Sequence, residues 1–192
     1  MDAQSNYSDD LFIEEKIDGK IYLMARSSEK HTDVQYNIAN IFNDYFRKNK
    51  KKCISRIEAE LWINKDSWVV PDVMVFCYNT SKNLPLIIVE VLSKSTRKKD
   101  LGVKMKKYAE LGIKEYWVVD CTSYTIDIYV LTENNIYDRY ESYSYYTDED
   151  FSKMPGIRER QRAEVEIITE FTPVSFPELK VLLEDVFYFV EY

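Results

Sequence analysis

Two carboxylates stand alone among apolar neighbours in the middle of this 192-residue chain. Asp72 lies in VVPDVMVF, residues 69–76, and Glu90 in LPLIIVEVL, residues 84–92. Turn chemistry at Asn79, Ser81, Asn83 and Pro85 separates the two runs. Their β-branched, apolar make-up predicts two strands. Alternation puts Val70, Asp72, Met74 and Phe76 on one face of the first. It puts Leu86, Ile88, Glu90 and Leu92 on one face of the second. A lone carboxylate on an apolar face is costly unless it is paired or binds a cation. Two of them on neighbouring strands offer oxygen ligands to a hard divalent cation, Mg²⁺ or Mn²⁺. A turn cap at Asp72 after Pro71, and a lysine partner for Glu90, satisfy the same groups without metal.

A basic cluster follows, Lys94, Arg97, Lys98 and Lys99, and leads into a helical pattern. Ser95 or Thr96 is its expected N-cap and Gly112 its stop. Asp100, Lys104, Lys107, Tyr108 and Leu111 fall on one stripe of that helix. Beside two carboxylates, the cluster is read as a phosphate-facing, nucleic-acid-binding surface. The other basic run, residues 47–52, is read as a solvated face.

The order of these motifs resembles a known family. PD, a spacer, a run ending EVLSKST, then D-x-x-x-K-x-x-x-Y and GIKEYWVVD resemble the Uma-two family of restriction-endonuclease-like proteins, within the PD-(D/E)XK nuclease superfamily. The resemblance is specific over residues 69–120. It reaches more loosely to IDGKIYLM, to His31 and to SFPELKVLLEDVF. It implies an α/β (α+β) restriction-endonuclease-like core, a mixed sheet flanked by helices. It further implies Mg²⁺-dependent hydrolysis of phosphodiester bonds, in DNA, by a homodimer. Asp72 and Glu90 would hold the metal, with His31 and Asp100 in support.

One departure concerns the basic residue. The superfamily lysine expected two residues after Glu90 is Leu92 here, and the family is similar in lacking it. Lys94 shares the parity of Glu90, but at about 3.3 Å per residue it lies roughly 13 Å further along the strand. Lys104, one turn after Asp100 and one before Tyr108, is therefore the expected catalytic ammonium. A surface Lys104–Asp100 pair at i, i+4 spacing is the other reading. Two rival functions fit the same residues: a nucleic-acid-binding module that kept the fold without catalysis, and a protein-interaction domain whose carboxylates pair with lysines.

The elements that must position these residues are legible in outline. The length suits one domain, residues 1–192. Hydrophobic content of 45% and charged content of 31% fit a soluble protein. With a polar N-terminus and no long apolar run, neither a signal peptide nor a membrane partner is expected, and the reading is cytoplasmic. Cys53, Cys77 and Cys121, widely spaced and odd in number, are expected as reduced thiols.

The net charge of −7 is unevenly spread: residues 133–192 hold 14 acidic and 6 basic side chains. Asp18-Gly19 predicts a hairpin between residues 11–17 and 20–24. Ser27 or Ser28 caps a helix running to Lys48, with an apolar stripe at Val34, Ile38, Ile41, Phe42, Tyr45 and Phe46. Residues 54–63 alternate as one strand with Ser55, Ile57, Ala59, Leu61 and Ile63 inward, and Glu58 and Glu60 are left outside the site. Lys65-Asp66 turns it into the Asp72 strand. Residues 116–120 and 124–131 are strands. Residues 140–162 read as an irregular, tyrosine-rich insertion, and residues 165–171 as strand-like. The apolar stretch 179–190 is expected to offer dimer-interface surface.

Overall fold

The computed structural model describes residues 12–25, 27–78, 84–93, 95–146, 150 and 168–190. A hairpin opens it, β1 (Phe12–Ile17) pairing antiparallel with β2 (Lys20–Ala25). Asp18 at φ 50° and Gly19 at φ 80° both take the left-handed conformation that a two-residue type I′ turn requires. Helix α1 (Glu29–Lys48) follows, capped by Ser28, whose hydroxyl accepts the His31 N–H at 3.4 Å. Val34, Ile38, Phe42 and Phe46 of the expected stripe are buried, with Ile41 and Tyr45 packed beside them.

Both long strands of the sequence reading are broken. Residues 54–63 divide at Glu58, which takes φ 45°. Before the break, β3 (Cys53–Ile57) pairs with β6 (Val73–Cys77). After it, β4 (Leu61–Asn64) forms the Lys65-Asp66 hairpin with β5 (Ser67–Val69). Residues 69–76 divide at Pro71, which has no N–H to give a ladder. The chain therefore leaves one sheet at β5 and enters another at β6, with Asp72 at the corner.

The larger sheet runs β10-β9-β8-β7-β6-β3, built with β7 (Ile87–Val91), β8 (Glu115–Asp120), β9 (Thr125–Leu131) and β10 (Tyr137–Ser144). The smaller runs β2-β1-β5-β4. Only β7 and β8 are parallel among the large sheet's pairs, and parallel neighbours need a crossover. Here it is helical: α2 (Arg97–Lys99), a π-helical turn over Asp100–Lys104, and α3 (Met105–Leu111). Gly112, at φ 81°, ends it in the left-handed conformation that a helix C-terminus favours.

Strand alternation divides the core. Val73, Val75, Val89, Trp117 and Val119 pack toward α1, and Met74, Ile88, Tyr116 and Val118 toward Tyr108 and Ala109 of α3. Glu90 shares the parity of Ile88 and so faces α3.

The C-terminal segment closes the α1 side. β11 (Glu170–Phe171) pairs with β12 (Val181–Leu182), and α4 (Leu183–Val186) follows. Leu179, Val181, Leu183, Val186, Phe187 and Val190 are buried in the protein's own core. The buried members of residues 179–190 are thus spent on covering α1 and are lost to the expected interface, while Tyr188 and Phe189 of the same stretch stay exposed. Glu115, 1% exposed, anchors the segment by accepting the Trp117 indole N–H at 2.8 Å, Val174 N–H at 3.2 Å and Ser175 N–H at 2.7 Å. Three donors replace the water that this carboxylate loses.

Two further expectations are corrected. Residues 140–144 belong to β10 and are no irregular insertion; Tyr143 stacks on Phe171 with ring centroids 4.7 Å apart. Residues 147–149 and 151–162 of that expected insertion, and 165–167 of the strand-like run, lie outside the described residues. Cys53 and Cys77 are not free thiols: the β3–β6 register sets them opposite each other, and they form a disulfide. A separation of 24 residues hid this partnership from spacing arguments. Cys121 remains free, its thiol pushed up first by burial and then by Asp120. Among the described residues no helix is long and apolar enough to cross a membrane.

Candidate active site

The corner at Pro71 aims Asp72 at the end of β7. Its Oδ2 accepts the Val91 N–H at 2.5 Å, extending the β6–β7 ladder through a side chain. Its Oδ1 accepts the Gln35 amide at 2.7 Å. Gln35 also donates to Glu58 Oε1 at 3.2 Å, an oxygen that takes the Ser27 hydroxyl at 3.2 Å as well. His31, one turn before Gln35 on α1, places Nε2 3.0 Å from Asp72 Oδ1 without an aligned hydrogen bond.

Glu90 is 2% exposed, and its Oε1 takes the Tyr108 hydroxyl at 2.6 Å and the Lys104 ammonium at 2.6 Å. Lys104, 1% exposed, also reaches Glu15 Oε1 at 2.9 Å and lies 3.5 Å from Asp100 Oδ1. Glu15 is held in turn by the Val70 N–H at 3.0 Å and by Lys99 at 2.6 Å. Asp100 and Lys104 both face inward from the π-helical turn while Leu101 stays exposed; such turns recur at functional sites. The surface-pair reading of Lys104 and Asp100 is excluded by this burial.

Burial raises the Glu90 carboxyl well above its usual range, and the neighbouring carboxylates of Asp100, Asp72 and Glu15 add to it against the pull of Lys104. Asp100 is raised, also mainly by burial. Burial acts upward on Glu15 too, but Lys104 and then Lys99 outweigh it, and its carboxyl sits below the usual value. Burial would lower Lys104; Glu90, Glu15, Asp100 and Asp72 more than reverse that, so the ammonium is held charged well above the ordinary range. Tyr108, raised by burial and by Glu90, stays a phenol and a donor.

The donor set fits a hard divalent cation. Asp72 and Glu90 supply carboxylate oxygens, and four carboxylates, Glu15, Asp72, Glu90 and Asp100, meet only two inward lysines, Lys99 and Lys104. Two buried atoms, His31 Nε2 and Asp100 Oδ1, lack a hydrogen-bond partner among the described residues. No three His, Cys, Asp or Glu side chains stand as a ready-made cage among those residues. A Mg²⁺ ion needs none, because it keeps several waters and takes one or two carboxylates.

Asp72, Glu90, Asp100, Lys104 and His31 thus line one cavity of about 320 Å³. Leu92 lines it too, 8% exposed, and leaves the ammonium beside Glu90 to come from the helix. The basic cluster is dispersed: Arg97 pairs with Asp120, Lys99 turns in to Glu15, and Lys98 is exposed. Lys94 lies outside the described residues.

Three residues of the site escaped the sequence reading: Glu15, Gln35 and Glu58. For Glu15 a signal existed, since Ile13, Glu15 and Ile17 share a strand face with one carboxylate among apolar residues, the criterion that picked out Asp72 and Glu90. Gln35 lies four residues after His31. Glu58, read with Glu60 as a strand glutamate able to reach a metal but left outside the site, lines the cavity where the strand breaks.

A mixed sheet with helices on its faces thus brings these carboxylates together around Lys104, beside the corner where β5 passes into β6. A crystal structure from Anabaena variabilis, described as a putative nuclease belonging to DUF820, matches this fold with TM-score 0.66 at 17% identity, over 92% of this chain and 90% of that one. The family model Uma2, described as "Putative restriction endonuclease", matches residues 6–166, and the chain belongs to that family. A Synechocystis sp. protein, slr1290, itself uncharacterised, is 30% identical over 123 residues, 60% of this chain. The match spans 64% of that relative's length.

Proposed function

We propose that this protein is a divalent-cation-dependent endonuclease that hydrolyses phosphodiester bonds in DNA. The observation that carries the reading is the Lys104 ammonium, 2.6 Å from Glu90 in a cavity shared with Asp72, although Leu92 stands at the usual lysine position. Asp72 and Glu90 would hold Mg²⁺, or Mn²⁺ in its place. When bound, the cation supplies a Lewis acid for the phosphate and a more acidic water. The protein's own groups do the rest. Val91 N–H and Gln35 fix the Asp72 carboxylate, and Tyr108 fixes Glu90. Lys104 is kept charged to offset the negative charge that grows on the phosphate in the transition state. Asp100 Oδ1 is an open acceptor beside that ammonium, where a water proton would be held.

The test is cleavage of supercoiled plasmid DNA. Wild type should nick it in Mg²⁺ and leave it intact in EDTA, and Asp72→Asn should be slower by at least about a hundredfold. Equal rates for the two proteins would refute the site. DNA bound but never cut would favour the reading as a module that keeps the fold without catalysis.

Cutting both strands of a duplex calls for two active sites, so the proposed active form is a homodimer. Its contact cannot use the buried residues of 179–190; Phe12, Ile21, Leu23 and Trp62 are exposed on the strands of the smaller sheet. Sedimentation at micromolar protein should give the dimer mass, and monomer alone would contradict it.

A further inference from the structure

A second cavity, of about 630 Å³, lies between β2 and the start of the helical crossover. It meets the first at Met24, Ser95 and Thr96, which line both. Tyr22 forms one wall, and Lys98, Lys99 and Gly102 the other. The Tyr22 ring has the Lys20 and Lys99 ammonium groups 5.0 and 5.3 Å from its centroid. Lys98 is exposed and makes no ion pair among the described residues. At Gly102 an added Cβ would meet nothing within 4 Å, so the backbone leaves room there.

We propose that this second cavity seats one unpaired nucleotide next to the scissile phosphate, its base against Tyr22 and its phosphate at Lys98. The inference rests on the nuclease reading and names the form of substrate it takes. Both ammonium groups lie over the Tyr22 ring, and the exposed Lys20 stem can swing aside to admit a base. An aromatic ring with cations at hand is the chemistry that holds a base and its backbone without reading sequence. A base within a paired stack cannot enter a space between two protein elements; an unpaired or extruded base can. The two cavities lie side by side, with Met24, Ser95 and Thr96 in both linings, so a strand with its phosphate at Asp72 and Glu90 has the second cavity within reach of its next nucleotide. Overall charge points the same way. A net charge of −7 suits a local strand contact better than a long phosphate track along duplex DNA.

The experiment measures fluorescence anisotropy of a labelled single-stranded oligonucleotide, in EDTA so that no cleavage intervenes, against the matching duplex. Wild type should prefer the single strand. Tyr22→Ala should weaken binding about tenfold, the loss expected for one stacked base. Gly102→Leu, which adds a side chain to the cavity wall and leaves the Tyr22 residue in place, should weaken it similarly while keeping the wild-type urea midpoint. Single-strand binding at wild-type strength by a folded Gly102→Leu protein overturns the inference, as does a wild type that prefers duplex or binds neither. Plasmid cleavage by the same proteins is read separately. Retained cleavage with unaltered oligonucleotide binding would strike the subsite alone and leave the nuclease reading standing.

Discussion

Replacing Lys104 with methionine is expected to abolish plasmid cleavage and to remove about 3–5 kcal/mol of folding stability at neutral pH. Both effects have one cause. Lys104 is the buried counter-ion shared by Glu15, Glu90 and Asp100, all 2% exposed or less. Methionine fills much of the space but leaves these carboxylates facing one another, with only Lys99 still on Glu15. Glu90 and Asp100 can relieve the repulsion by taking protons, so the variant should recover stability in acid. In wild type the folded Lys104 is raised above 10.5, so its stabilisation is complete below that pH and is lost as pH climbs through the folded value. Urea midpoints at pH 5 and pH 8 give the stability change, and plasmid nicking under the folded conditions gives the catalytic one. Lys94→Ala is the comparison and should stay active. A dead Lys94→Ala beside an active Lys104→Met would move the ammonium elsewhere.

The second large effect is at Glu90. Glu90→Gln should lose cation binding and cleavage yet be no less stable than wild type at neutral pH. Glutamine keeps an oxygen to accept from Tyr108 and Lys104, and it removes one charge from a buried site that has too many negative ones. The pH dependence follows from the direction of the shift. Glu90 is raised above 4.5, so the folded state holds its proton longer than the unfolded chain does. Its contribution to stability is therefore present below 4.5 and declines as pH rises toward the folded value. Glu15 is lowered and contributes in the opposite sense, losing its stabilisation as pH falls through its folded value. Wild type should accordingly lose more stability than Glu90→Gln between pH 5 and pH 8, measured by urea denaturation. A parallel pH profile for the two proteins would contradict this reading of Glu90.

What could be read in the chain, and what could not, divides along sequence distance. Local chemistry was legible: Asp18-Gly19 turned its hairpin, Ser28 capped α1, Gly112 ended α3, and parity put Glu90 on the α3 face. The inward helical stripe of Asp100, Lys104 and Tyr108 was legible for the same reason. Contacts set by sheet register were not. Cys53 and Cys77 share no local pattern and meet only because β3 and β6 pair antiparallel. Glu15 comes to Lys104 across 89 residues, because Pro71 hands the chain from the small sheet to the large one. The burial of most of the apolar run at residues 179–190 was not legible, because nothing local reveals that α1 needs a cover. The lone-carboxylate criterion extends beyond Asp72 and Glu90: it also fits Glu15 on β1 and Glu115 on β8, both buried.

The central claim, that Asp72 and Glu90 jointly hold a divalent cation, is tested most directly by calorimetric titration of Mn²⁺ into wild type and Glu90→Gln, repeated in two buffers of different ionisation enthalpy. Wild type should bind the ion and release protons as it does so, because the raised Glu90 carboxyl must ionise to become a ligand. Affinity should climb with pH, and Glu90→Gln should show no binding at the same site. Equal Mn²⁺ binding by the two proteins, or binding with no proton release, would contradict the account.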